Sequence, residues 1–156
     1  MKIIRWVLLA PVLLVAVGVI GTELNKAYWD HKVRKWCENK GGVTVFETVL
    51  ISKGRYLKND GYKGMINIPP ESTRKPRHDF YKKNTKTIIK KSNPLVVRSE
   101  YVTYRKSDEK QLGKWVTYWR SGGDFPTGFH PSSFSCGQIS GFKRSAGKEI
   151  FIIETE

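Results

Sequence analysis

The sequence predicts an α+β fold: an N-terminal signal-like or membrane-anchor helix, then one amphipathic helix packed on a twisted antiparallel sheet of about five strands. Three observations predict it. A charge-free apolar run, Trp6 to Thr22, follows Lys2 and Arg5. Trp29, Val33, Trp36 and Cys37 fall at i, i+4, i+7 and i+8, one stripe on a helix. Beyond Gly42, β-branched and aromatic stretches alternate with Gly- and Pro-rich turns, as in short paired strands. The 156 residues suffice for one domain, so residues 1–24 are read as a signal-like segment or anchor and 25–156 as a single globular domain. Five Trp, seven Tyr and seven Phe can fill its core, and no internal repeat or Cys-dense pattern is present.

The first element is a basic n-region followed by an apolar h-region. From Trp6 to Gly21 a helix would reach ~24 Å at ~1.5 Å per residue. That is short of a hydrocarbon core of about 30 Å unless Ile3, Ile4 and the flanks contribute. Residues 3–22 therefore serve as a single-pass anchor or as a cleavable signal, and the small residues Ala16, Gly18 and Gly21 offer only mediocre cleavage sites, which favours the anchor. Orientation signals conflict. Lys26, Lys32, Arg34 and Lys35 follow the run and only Lys2 and Arg5 precede it, which argues for a cytoplasmic domain. Cys37 and Cys136, widely separated and without a CxxC, read most simply as one disulfide in an oxidising compartment, the alternative being two buried thiols. The cysteine pair and the signal-like start outweigh the flank charges. The expected location is the bacterial inner membrane with the domain facing the periplasm, or the periplasm itself after cleavage.

The amphipathic helix is expected over Asn25 to Asn39, stopped by Gly41 and Gly42. Val43 to Ile51 reads as one strand. Gly54, Gly61 and Gly64 mark turns, with a short strand possible at Met65 to Ile68 before Pro69-Pro70. Glu71 to Lys86 holds Pro76 among scattered charges and reads as a long irregular loop. Strand signals return at Thr87 to Ile89 and more strongly at Leu95 to Arg105. There Val97, Ser99, Tyr101 and Thr103 share one face, and Val96, Arg98, Glu100, Val102 and Tyr104 the other. The polar link Lys106 to Gln111 leads into Leu112 to Arg120, an antiparallel hairpin. A Gly/Pro-rich loop, Ser121 to Ser133, precedes a short segment at Cys136 to Ile139, and Glu149 to Thr155 forms the last strand.

The stretch Trp36 to Val49, WCENKGGVTVFETV, together with Pro131 to Cys136, PSSFSC, resembles a group of small, functionally uncharacterised bacterial and prophage envelope proteins. They share a helix ending in Cys, a charged-Gly-Gly turn, a strand and a second late Cys. The resemblance implies a membrane-associated or exported domain with its two Cys paired, and it carries over no catalytic or binding residue.

Chemistry is poorly supported. His130 lies near Ser132, Ser133, Ser135 and Cys136, yet no GxSxG elbow or thiol-protease context accompanies it. Cys37, Cys136, His31 and His130 match no common zinc spacing. Asp108-Glu109 sit in a polar link, Glu47, Glu100 and Asp124 are isolated among bases, and no phosphate-loop or dinucleotide fingerprint occurs, so no catalytic residue, metal or cofactor is assigned.

Charge is the salient feature: 28 Lys and Arg against 14 acids, a net charge of +14. It concentrates between Lys53 and Lys91, most densely at Arg74, Lys75, Arg77, Lys82, Lys83, Lys86, Lys90 and Lys91, with Tyr56, Tyr62, Phe80 and Tyr81 interleaved. Such a stretch suits an acidic protein partner or anionic lipid; nucleic acid fits export badly. The expected function is non-enzymatic: a membrane-anchored or exported envelope protein acting by binding, such as an inhibitor, immunity, phage-exclusion or assembly factor. The competing expectation is a small hydrolase on an anionic envelope substrate, using His130 and a nearby Ser.

Overall fold

The structure, a computed structural model, describes residues 2–59, 66–125 and 132–154, with side chains from Leu13 onward. A single helix, α1 (Lys2–Lys40), carries both the apolar run and the Trp29–Cys37 stripe without a break. Its 39 residues correspond to about 58 Å of helix. It ends where expected: Gly41 follows, and a Cβ there would stand 2.6 Å from the Cys37 carbonyl oxygen. Gly42, at φ +105, then turns the chain into the sheet.

Among the described residues no helix is long and apolar enough to cross a membrane. Described side chains cover the apolar run only from Leu13 to Gly21, about 13 Å of helix. In that part the apolar side chains stand off the domain on several sides of the helix: Leu14 is 72% exposed, Val15 57%, Val17 61% and Ile20 59%.

The main sheet has the order β1-β5-β4-β3, built from β1 (Gly42–Val45), β3 (Phe80–Lys90), β4 (Leu95–Arg105) and β5 (Gln111–Ser121), all antiparallel; β6 (Ser133–Ser135) pairs with the far end of β5. Two strands, β2 (Val49–Ile51) and β7 (Phe151–Ile153), form a separate parallel pair. The α+β class and the roughly five-stranded antiparallel sheet are as the sequence predicts. Short helices α2 (Lys53–Lys58) and α3 (Gly147–Ile150) complete the described elements, with 3₁₀ turns at Glu71–Thr73 and Cys136–Gln138.

Adjacent residues of β5 point to opposite faces, and the two core clusters divide accordingly. Val116 and Tyr118 pack with Val33, Cys37, Val96 and Cys136 under α1. Trp115 packs on the other face against Ile51, Phe80, Ile150 and Phe151, where β2, β7 and α3 form the covering layer. Cys37 and Cys136 are bonded, their Cα atoms 5.4 Å apart and 99 positions apart in sequence, inside the α1 cluster.

Several expectations need correction. The single strand Val43–Ile51 is two strands in two sheets, because Phe46 and Glu47 both donate their N–H to the Leu112 carbonyl, folding the chain off the sheet. Gly54 lies inside α2 and not in a turn. The loop Glu71–Lys86 yields its last part, Phe80–Lys86, to β3, and Ser133 belongs to β6. The final strand starts only at Phe151 and joins β2 instead of the main sheet. Ile66 to Ile68 is not a strand; Met65, Gly61, Gly64 and Thr155 lie outside the described residues.

Candidate functional site

The basic stretch is organised by β3. Arg74, Lys75 and Arg77 lie in the segment before it, Lys82, Lys83, Lys86 and Lys90 on it, and Lys91 just after it. Strand alternation divides the lysines. Lys82 and Lys86 pair across with Thr103 and Ser99 and share their face, away from α1. Lys83 pairs with Val102, and a register shift between Ile88 and Lys90 sets Lys90 opposite Val96, on the α1 face. Its ammonium accordingly lies 5.8 Å from the Trp29 ring.

Some of this charge is engaged locally. Arg74 stacks 4.6 Å from the Tyr81 ring and approaches Glu109 at 3.8 Å. Lys83 pairs with Glu71 at 3.3 Å and faces the Tyr104 ring at 5.2 Å. Lys86 and Lys91 are exposed and have no ion pair among the described residues. Tyr81 is buried, and that desolvation, reinforced by its hydroxyl donating to Glu109, pushes its pKa up to about 12.

β3 is also an edge. The N–H of Lys82 donates away from β4, to the Pro69 carbonyl at 2.9 Å. By the antiparallel alternation Asn84, Lys86 and Ile88 direct their N–H and C=O the same way. The described chain beside them contributes no strand: β3 closes the sheet order on that side.

On the sheet face away from α1, a cleft of about 390 Å³ opens between β3–β5, the segment Ile66–Ile68 and the start of α3. Lys82, Tyr101, Thr103 and Trp115 rise from the sheet, and Arg144 and Ser145 come from the segment leading into α3. Tyr101 and Trp115 stack at 4.9 Å. Sequence reading missed this cleft, since its parts lie up to 81 positions apart, from Ile66 to Gly147, and no local pattern joins them.

Ser132, Ser135 and Cys136, which neighbour His130 in sequence, sit in structural bonds. The Ser132 hydroxyl donates to Asp124 and accepts from Arg120, and Ser135 caps the 3₁₀ turn after it. Ser133 is exposed on β6; His130 lies outside the described residues. His31 is exposed on α1, whereas His78 is buried with Nδ1 accepting from the Lys75 N–H at 3.1 Å. The bonded cysteines are neither thiolate nor zinc ligand, and no metal-holding cluster occurs among the described residues.

Carboxylates whose pKa is displaced move downward, opposite to what a general acid at neutral pH needs. For Asp124 the Ser132 hydroxyl is the main cause. For Glu47 it is Lys110 and then Arg105. Burial acts to raise Asp79, and its hydrogen bonds from Asn59 and Arg55 together outweigh that. No family model, curated protein or solved structure matches this chain.

Proposed function

We propose that this chain is a non-enzymatic, single-pass membrane-anchored envelope protein that works by contact, taking an acidic, extended segment of a protein partner along the open edge of β3. The observation that carries this reading is the edge itself: outward main-chain groups at Asn84, Lys86 and Ile88, with lysines on both faces of the same strand. A flat lipid surface meets one face of a strand at a time. An added strand alternates its own side chains and meets both, which favours a peptide over a membrane as the partner of these lysines. Lysines along an edge also repel a second copy of themselves, so an acidic segment is preferred over self-pairing.

Residues 3–22 form the anchor in this reading, supported by the apolar side chains from Leu13 to Ile20 that stand clear of the domain. The Cys37–Cys136 bond supports an oxidising location, the periplasmic side of a bacterial inner membrane. The flank charges that argued for the opposite orientation are partly engaged: Lys26 pairs with Glu23 at 2.6 Å and lies 3.8 Å from Asp124, and Lys32 lies over Tyr28 and Trp29. Alkaline phosphatase fused after Glu156 is expected to be active; an inactive fusion reverses the orientation.

The contact is tested with the full chain in nanodiscs, a synthetic peptide of alternating Glu and Thr, and lipid that is either neutral or mixed with anionic headgroups. The peptide is expected to bind with strong salt dependence and to protect Lys83 and Lys86 from acylation. Lys86→Pro removes an outward N–H that β4 does not use, so it is expected to abolish peptide binding while the sheet stays folded. Protection by anionic lipid without peptide binding assigns the surface to the membrane instead. Loss of the cellular phenotype in His130→Ala, with Lys83→Glu and Lys86→Glu silent, assigns the chain to the hydrolase class.

A further inference from the structure

The cleft on the sheet face away from α1 is separate from the β3 edge and has its own chemistry. Its walls bring together two cations, Lys82 and Arg144, from strands and segments distant in sequence, and none of the described lining residues is acidic. Lys82 is half-buried and Arg144 exposed, and two like charges facing one space repel unless a negative charge enters it, so the wall suits an anion. Arg144 is held from behind, its guanidinium donating to the Gly137 carbonyl at 2.8 Å, and it retains further N–H donors for a ligand. Lys82 is fixed at its backbone by the Pro69 carbonyl.

The rest of the wall is not what a bare inorganic anion requires. Tyr101 and Trp115 form a stacked aromatic pair, and Thr103 and Ser145 add hydroxyls beside it. Aromatic surface next to neutral hydrogen-bonding groups recognises a ring that has an apolar face and hydroxyls at its rim. The volume, about 390 Å³, lies near the lower end of small-molecule sites, which run from about 300 to 1,000 Å³. That suits one sugar ring with its charged substituent and excludes a folded peptide.

We infer that this cleft binds an anionic sugar, its phosphate or carboxylate met by Lys82 and Arg144 and its ring laid against Tyr101 and Trp115. The charged group on the ligand can be a phosphate ester or a uronate; both present the same anion to the two cations, and the test separates them.

The test is a titration of the full chain in detergent micelles with glucose 6-phosphate, glucuronate, uncharged glucose and inorganic phosphate, read by tryptophan fluorescence and calorimetry. At least one of the two sugar anions is expected to bind about tenfold or more tightly than both glucose and inorganic phosphate. Arg144→Ala and Lys82→Ala are each expected to weaken that binding about tenfold, the loss of one charge-assisted contact. Arg144→Lys, which keeps the charge without the planar fork, is expected to restore part of it.

Binding of glucose 6-phosphate alone identifies the phosphate ester, and of glucuronate alone the carboxylate. The proposal is overturned if none of the four saturates, if inorganic phosphate binds as tightly as the sugar anions, or if Arg144→Ala and Lys82→Ala leave the affinity unchanged while circular dichroism shows the native fold.

Discussion

β3 and β5 are strands of equal length, eleven residues each, in one sheet, and their fates differ almost completely. From Lys83 to Ile89 every residue of β3 is exposed, whichever face it occupies. In β5 only Gln111 is. β5 has β4 on one side, β1 and β6 on the other, α1 across one face and the β2–β7 layer across the other. The contrast teaches that sheet position, more than residue preference, decides what a strand does. A central strand stores the fold's energy, and an edge strand stays available for a partner.

The same contrast separates the charges. Arg120 on β5 is 1% exposed and held on all sides: it donates to Asp30 of α1, to the Gly122 carbonyl and to Ser132. Asp124 closes the network by binding the hydroxyl and N–H of Ser132. On β3, Lys83 and Lys86 are exposed and have shallow, screened interactions.

The largest blow to the β5 side is removal of its staple. Closing a loop of 99 residues stabilises by about 4–5 kcal/mol in the chain-entropy account, so Cys37→Ser with Cys136→Ser is expected to remove most of the margin of a domain this size, read by urea denaturation. In the wild type, thiol labelling under denaturing, non-reducing conditions should find no free thiol.

Next comes Asp30→Ala. It leaves the Arg120 guanidinium buried without its carboxylate, and a loss of about 3 kcal/mol is expected, somewhat less than a fully isolated charge because the Gly122 and Ser132 oxygens remain. A change below 1 kcal/mol, on the order of a surface pair, would show that the network is solvated and erase the contrast.

A smaller effect depends on pH. The folded pKa of Asp124 lies below the ordinary value of 3.8, so its contribution is complete above about pH 4 and is lost as pH falls through the lowered folded value. Asp124→Asn should therefore be less stable than the wild type at neutral pH, and the gap should narrow steadily in melts taken below pH 4. A constant gap across that range would assign the role of Asp124 to packing and not to charge.

The smallest expected effect is on β3. Thr85→Ala and Lys86→Ala should change stability by less than about 0.5 kcal/mol, because the side chains are exposed. A loss of 2 kcal/mol or more at either position, measured in the same urea series, would place β3 in the core and withdraw it as a docking edge.

Much of the architecture was legible because its signals are local. The stripe Trp29–Val33–Trp36–Cys37 lies on α1 and buries Val33 and Cys37. β4 starts and ends at Leu95 and Arg105, and its two faces divide as its alternation implies. β3 was hidden by its own exposure. With both faces in water, Lys83 to Thr87 needs no alternation of polar and apolar residues, and period two is the signal by which a strand is read. The split of Val43–Ile51 was equally hidden, since the bend at Phe46 and Glu47 depends on Leu112, a residue of another strand.

From residue order alone came whatever rests on near neighbours or on chemistry that survives without a fold: the helix stripe and its glycine stop, the hairpin of β4 and β5, the basic stretch, and the pairing of two solitary cysteines. Tertiary structure alone decided which strand became an edge, that the basic lysines divide between two faces, that Arg120 meets Asp30 across 90 positions, and that Lys82 meets Arg144 around one cleft. The physical reason is range. Helix periodicity and strand alternation act over a few residues, whereas burial, ion pairing and cleft formation depend on which distant segments the sheet order brings together, and that order is settled only when the whole core packs at once.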